Sequence, residues 1–253
     1  SPGAVTQNGP MAQQRLQKLI AGSGVCSRRQ AETLLREGKI QVNGCVARLG
    51  EQADPATDQI CISGKPLVPP PTPLTLLLHK PAGVLCTCRD PHGRPTVLDL
   101  LPAQWRMEAG LHPVGRLDAE SRGALLLSND GTLTLHLTHP RYGHRKTYQV
   151  WVEGHPSPDT LRIWSQGVPL QGVESAPVDI RPLRHSRQGT LLELGMREGK
   201  NRQIRRTAEQ LGHPVRDLLR VAIGPVSLGQ LPEGQWREID PASLMAEERR
   251  RLT

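Results

Sequence analysis

The chain has 253 residues, 22% charged and 36% hydrophobic, which allows one large domain or two unequal ones. No apolar run approaches the roughly 18 residues of a membrane span, which excludes a helical membrane protein. The net charge is +8, and 26 of the 32 basic side chains are Arg; Arg forks pair with phosphate and stack on bases, so the excess points to a nucleic-acid partner.

Residues 1–12 are polar and hold both Gly and Pro, which predicts a disordered leader with Met11 as a natural start. Residues 13–21 carry Leu16, Leu19 and Ile20 at helical spacing, and Gly22 and Gly24 end that helix. Ser27 reads as an N-cap with Gln30 at the capping-box position. Ala31, Leu34 and Leu35 form the stripe of this second helix, and Gly38 stops it. Ile40 and Val42 alternate as a strand, Asn43-Gly44 is a hairpin turn, and Val46 opens the return strand. Arg28 and Arg29 sit at the second helix's N-terminus, where free amides and the helix dipole already favour anions.

Pro66 and the run 69–73 predict a stiff linker over 68–73. Beyond it, residues 74–240 read as a larger, strand-rich domain. Leu74 to Leu78 is a buried strand; Lys146 to Val152 is another, with Tyr148, Val150 and Val152 on one side; Leu191 to Leu194 is a third. Arg202 to Gln210 reads as a helix closed by Gly212 and Pro214. Residues 241–253 form a charged, helix-prone tail. Five Cys residues show no paired CxxC spacing, as expected of reduced thiols in a cytoplasmic protein without a metal site.

One carboxylate stands out. Asp118 follows Arg116 in Gly115-Arg116-Leu117-Asp118, and the apolar run Ala124-Leu125-Leu126-Leu127 comes next, then Ser128-Asn129-Asp130-Gly131 as a turn. A charged loop anchored by a buried strand holds an acid in place, as general acid–base or nucleophilic chemistry requires. A lone Asp in a loop is more often a turn residue, so its role depends on the rest of the chain.

Four blocks supply that context. Gly115 to Gly131 resembles the catalytic loop of the RsuA/RluB-type pseudouridine synthases, with Ser121 where Thr is usual and Ala124 where Leu is common. His79-Lys80-Pro81-Ala82-Gly83, running through Asp90 and Arg94 to Leu100, resembles the strand and loop that open that family's catalytic domain. Lys146-Thr147-Tyr148 resembles its tyrosine-bearing strand. Glu198 to Arg206 resembles its basic loop and helix start, continuing through Gly212-His213-Pro214 to Leu219-Arg220. Residues 13–67 resemble the alpha-L RNA-binding domain. The resemblance implies an α+β protein: a small N-terminal alpha-L domain, then a catalytic domain on a mixed, mainly antiparallel β-sheet with flanking helices.

It also implies a function. The expected reaction isomerises uridine to pseudouridine in ribosomal RNA, with no cofactor and no metal. By resemblance Asp118 is the reacting acid, Tyr148 the platform for the flipped base, and Arg205 the counter-ion of the acid. Arg116, Lys200, Arg202, Arg28, Arg29 and Lys80 are expected to bind RNA. Closeness to the RluB branch favours a stem-loop of large-subunit RNA as substrate for a monomeric enzyme; small-subunit RNA is the alternative. A methyltransferase would need a Gly-rich nucleotide loop after a strand, and none occurs. A glycosidase would need two carboxylates, and Glu120, the one candidate beside Asp118, lies in basic surroundings. A non-catalytic ribosome-assembly factor on the same scaffold is the serious rival.

Overall fold

The computed structural model describes residues 13–67, 72–107, 109–138 and 143–244. The expected leader, residues 68–71 of the expected linker and residues 245–253 of the expected tail lie outside the described residues. The chain divides into two compact units, Ser1–Thr72 and Pro73–Thr253. Among the described residues no helix is long and apolar enough to cross a membrane.

In the first unit the order is β1 (Gln14–Arg15), α1 (Leu16–Gly22), α2 (Arg28–Arg36), β2 (Ile40–Val42), β3 (Cys45–Val46), β4 (Gln52–Ala53), β5 (Ile60–Ile62) and β6 (Lys65–Pro66). The first helix begins later than its periodicity suggests, because Gln14 and Arg15 pair with β4 instead. The capping box forms: Gln30 N donates to Ser27 Oγ and Ser27 N to Gln30 Oε1, both at 3.1 Å. Asn43 and Gly44 have φ of 52° and 82°, the two positive values that a tight β2–β3 hairpin turn demands. Leu16, Ile20, Ala31, Leu35, Ile40 and Ile60 close the core between helices and sheet.

The second unit is built on β7 (Thr75–Lys80), β8 (His112–Val114), β9 (Arg122–Ser128), β10 (Lys146–Glu153), β11 (Asp179–His185), β12 (Gly189–Met196), β13 (Val215–Ile223), β14 (Val226–Ser227) and β15 (Trp236–Glu238). The sheet order is β11-β12-β10-β13-β9-β7-β15, with β14 on β13 and β8 on β9. The β13–β9 pair is parallel and the other pairs of this sheet are antiparallel. The sheet is thus mixed and mainly antiparallel. Helices α3 (Ala103–Met107), α4 (Gly131–Thr138), α5 (Pro158–Ser165) and α6 (Gln203–Gln210) accompany it.

Strand β9 shows why the loop before it is held firmly. Leu125 and Leu127 enter one core cluster with Leu76, Leu78 and Leu117, while Ala124 and Leu126 enter another with Leu77 and Val114. A strand buried on both faces reads as an unbroken apolar run. Tyr148, Val150 and Val152 do share the buried side of β10, in a third cluster with Ile204 and Ala208 of α6. At the start of the expected charged, helix-prone tail, residues 241–244 are helical and Leu244 is fully buried beside Leu77 and Val226, which removes its apolar surface from water.

Candidate active site

The loop 115–121 joins β8 to β9 and carries Asp118. From α6 two arginines approach it. Arg202, the N-cap of α6, has a left-handed backbone with φ 50° and ψ 32°. Arg205 lies one turn along, on the face opposite none of the packing residues but beside them: Ile204, Thr207 and Ala208 are buried against the sheet, which leaves Arg205 half-buried at the helix margin. Arg202 Nη1 is 3.6 Å from Asp118 Oδ2, and Arg205 Nε is 4.0 Å from the same oxygen. Arg205 Nη2 donates to Ser121 Oγ at 3.0 Å.

These groups line one cleft of about 400 Å³ together with Arg116, Tyr148, Lys146, Lys200 and Arg220. Tyr148 is 8% exposed and pairs in register with Arg220 on β13, which in turn pairs with Gly123 on β9. Neighbouring strands lie just under 5 Å apart, so the sheet register itself sets the tyrosine two strands from the end of the Asp118 loop. Burial, and then the nearby Arg220, push the Lys146 ammonium below its ordinary range.

Asp118, Tyr148, Arg205, Arg116, Lys200 and Arg202 are therefore brought together, as the sequence suggested. Three placements differ from expectation. Lys80 does not face RNA: it is fully buried, and its Nζ donates to the carbonyls of Pro81 (2.8 Å), Ala119 (3.1 Å) and Ser121 (2.8 Å). The lysine closes the end of β7, and two of its three backbone acceptors, the Ala119 and Ser121 carbonyls, lie in the Asp118 loop, so it clamps that loop from beneath. Lys200 is paired with Glu198 Oε1 in its own loop at 3.1 Å and with the Glu174 carbonyl of the segment before β11. Arg202, expected to bind RNA, also stands against the acid. Arg28 and Arg29 belong to the other unit and are exposed in the first turn of α2.

Two further residues shape the site. Arg220 is buried and donates through Nε to Ala124 O at 2.8 Å and through Nη1 to Arg116 O at 3.2 Å, tying both ends of the loop to β13. Glu120 Oε2 accepts from Arg202 Nη1 at 2.7 Å; that hydrogen bond holds its carboxyl below the usual range. Composition alone could not single out either one.

The Lys80 clamp carries a pH signature. Burial pushes its pKa from the ordinary 10.5 down to about 8. Between those two values the unfolded chain holds the proton and the folded one does not, so stability contributed here rises with pH across that window and is lost as pH falls through about 8. Urea unfolding of the wild type and of Lys80→Met at both ends of the window should show the wild type gaining relative to the variant as pH rises. A difference that stays flat would mean the clamped ammonium keeps its proton.

Comparison with known proteins gives the family. Residues 75–210 match the family described as RNA pseudouridylate synthase, and residues 14–60 match the S4 domain. An uncharacterized RNA pseudouridine synthase of Aquifex aeolicus is 39% identical over 92% of this chain and 93% of its own length. The ribosomal large subunit pseudouridine synthase B of Bacillus subtilis is 39% identical over 90% and 93%. Among solved structures, a crystal structure of a pseudouridylate synthase superposes with a TM-score of 0.63 at 26% identity, covering 91% of this chain and 98% of that one.

Proposed function

The chain belongs to the RNA pseudouridylate synthase family, and from that premise we propose that it isomerises a uridine of large-subunit ribosomal RNA, with Asp118 as the reacting carboxylate. The observation that carries the assignment is the position of Asp118 between Arg202 and Arg205 at 3.6 and 4.0 Å, in the cleft that Tyr148 also lines. The large-subunit target is supported by 39% identity to the Bacillus subtilis protein named as a ribosomal large subunit pseudouridine synthase.

The chemistry asks for little else. The bond from ribose C1′ to base N1 breaks, the base turns, and a bond from C1′ to C5 forms; the C5 proton leaves and N1 gains one. Nothing is oxidised or reduced. A base in folded RNA must first leave its stack, at a cost of a few kcal/mol. In the proposal Tyr148 receives its face, and Arg116, exposed on the cleft, takes a phosphate or the space the base has left. Two guanidiniums, which never lose their protons, stand 3.6 and 4.0 Å from the Asp118 carboxyl. Arg28 and Arg29 of the first unit add phosphate contacts.

Incubation with unmodified large- and small-subunit ribosomal RNA, followed by chemical mapping of pseudouridine, tests this directly. New pseudouridine in the large-subunit RNA is expected. Modification of the small-subunit RNA alone would move the target, and no pseudouridine in either, from folded protein, would overturn the proposal.

A further inference from the structure

We propose that Glu120 is a positioning residue for this reaction: it holds the Arg202 guanidinium off Asp118, so that the acid is neutralised without being hydrogen-bonded. The inference rests on the reading of Asp118 as the reacting group.

One nitrogen carries the argument. Arg202 Nη1 lies 2.7 Å from Glu120 Oε2 and 3.6 Å from Asp118 Oδ2. The first distance is a charge-assisted hydrogen bond; the second is a charge contact too long to be one. Arg205 adds charge to both carboxylates without a hydrogen bond to either. Its Nε stands 3.9 Å from Glu120 and 4.0 Å from Asp118, is buried, and has no hydrogen-bond partner, while its Nη2 is spent on Ser121. Two carboxylates thus share two guanidiniums, and the hydrogen bond goes to Glu120.

The division matters for reactivity. A carboxylate gains stability from each donor on its lone pairs, and that stability must be given up when the lone pair attacks carbon or takes a proton. Asp118 keeps the field of two cations and keeps its lone pairs open. Without Glu120 the nearest carboxylate for Arg202 Nη1 is Asp118, and closing 3.6 Å to an ordinary length of about 2.8 Å is a small movement for an exposed arginine. As a surface ion pair alone, Glu120–Arg202 would contribute little to stability, so the effect is expected in kinetics.

The test is a single-turnover assay at saturating unmodified ribosomal RNA, with RNA affinity measured separately. Glu120 is exposed, with 59% of its side chain in solvent, so Glu120→Ala should melt like the wild type. Its rate constant should fall about tenfold, the size of one charged hydrogen bond, with affinity unchanged or tighter. Glu120→Gln retains an oxygen that can accept from Arg202 and should keep most of the rate. Adding Arg202→Met to Glu120→Ala should recover rate, because the intruding donor is gone and Arg205 still stands 4.0 Å from Asp118. The proposal is overturned if Glu120→Ala stays within about twofold of the wild type, or if the double variant is slower than Glu120→Ala at saturation. A wild-type protein that forms no pseudouridine would instead overturn the parent reading of Asp118.

Discussion

Replacing Asp118 with asparagine should abolish pseudouridine formation while leaving RNA affinity within a few-fold. The amide has the shape of the carboxylate but no charge, so it can neither attack ribose or base nor accept a proton. A loss on the order of 10⁴-fold or more in single-turnover rate is expected for a group that forms or breaks bonds. Binding is expected to survive for a structural reason. Arg202 still has Glu120 at 2.7 Å and Arg205 still has Ser121 at 3.0 Å, so neither cation is orphaned, and Lys80 holds the loop through backbone carbonyls that the substitution does not touch. If affinity changes at all it should rise slightly, since a negative charge leaves a cleft that receives phosphate. Chemical mapping together with filter binding separates the outcomes. Loss of binding in parallel with turnover would mark Asp118 as structural, and retained turnover would remove it from the reaction.

The largest effect on folding is expected at Gly123. Its φ is +119°, and a Cβ there would lie 2.2 Å from Arg220 O and 2.7 Å from Arg220 N. Both are backbone atoms in the parallel β9–β13 pair, where Arg220 stands opposite Gly123. No flexible side chain can yield, so Gly123→Ala must prise the two strands apart at the point where the sheet's halves join. The strained φ adds roughly 1–3 kcal/mol to the clash, and a total of about 4 kcal/mol or more would lower the melting temperature of the second unit by on the order of 10 °C. Arg220 would move with its strand and release the Arg116 and Ala124 carbonyls that it holds, so rate should fall even where the protein remains folded. Gly131→Ala supplies the control. That glycine opens α4 and has nothing within 4 Å of an added Cβ, so its stability should stay within about 0.5 kcal/mol or improve slightly. Equal behaviour of the two variants would contradict the close approach at Gly123.

Some of the fold was legible because local chemistry and tertiary context agree. Ser27 and Gln30 cap α2, Asn43-Gly44 turns β2 into β3, and the run 124–127 is buried on both faces. Elsewhere the pattern misleads. Residues 131–138 place Leu at 133, 135 and 137, a period of two that favours a strand, yet the segment is α4. Asp130 Oδ1 accepts from Leu133 N at 3.2 Å, which satisfies a free amide of the first turn and starts the helix. Asn129 accepts from Leu74 N and donates to Ala109 O, both at 2.9 Å, so the expected turn is also a bracket between distant segments. The same limit applies to the site. Nothing local distinguishes Lys80, fully buried, from an RNA-facing lysine; two of its three partners lie 39 and 41 residues away in the chain.

By itself the sequence determined the small capped module at the front, the strand-rich unit behind it, the basic character suited to RNA, and the family to which Asp118, Tyr148 and Arg205 pointed. Each of these depends on local spacing or on residue type, which the chain states directly. Only the tertiary structure decided which cation does what. Lys80 went beneath the loop, Lys200 to the Glu174 carbonyl, and Arg202 to the Glu120 beside Asp118. Hydrogen bonds fall off within a few tenths of an ångström, and distances of that order between residues 26, 41 and 82 positions apart are fixed by strand register and helix packing.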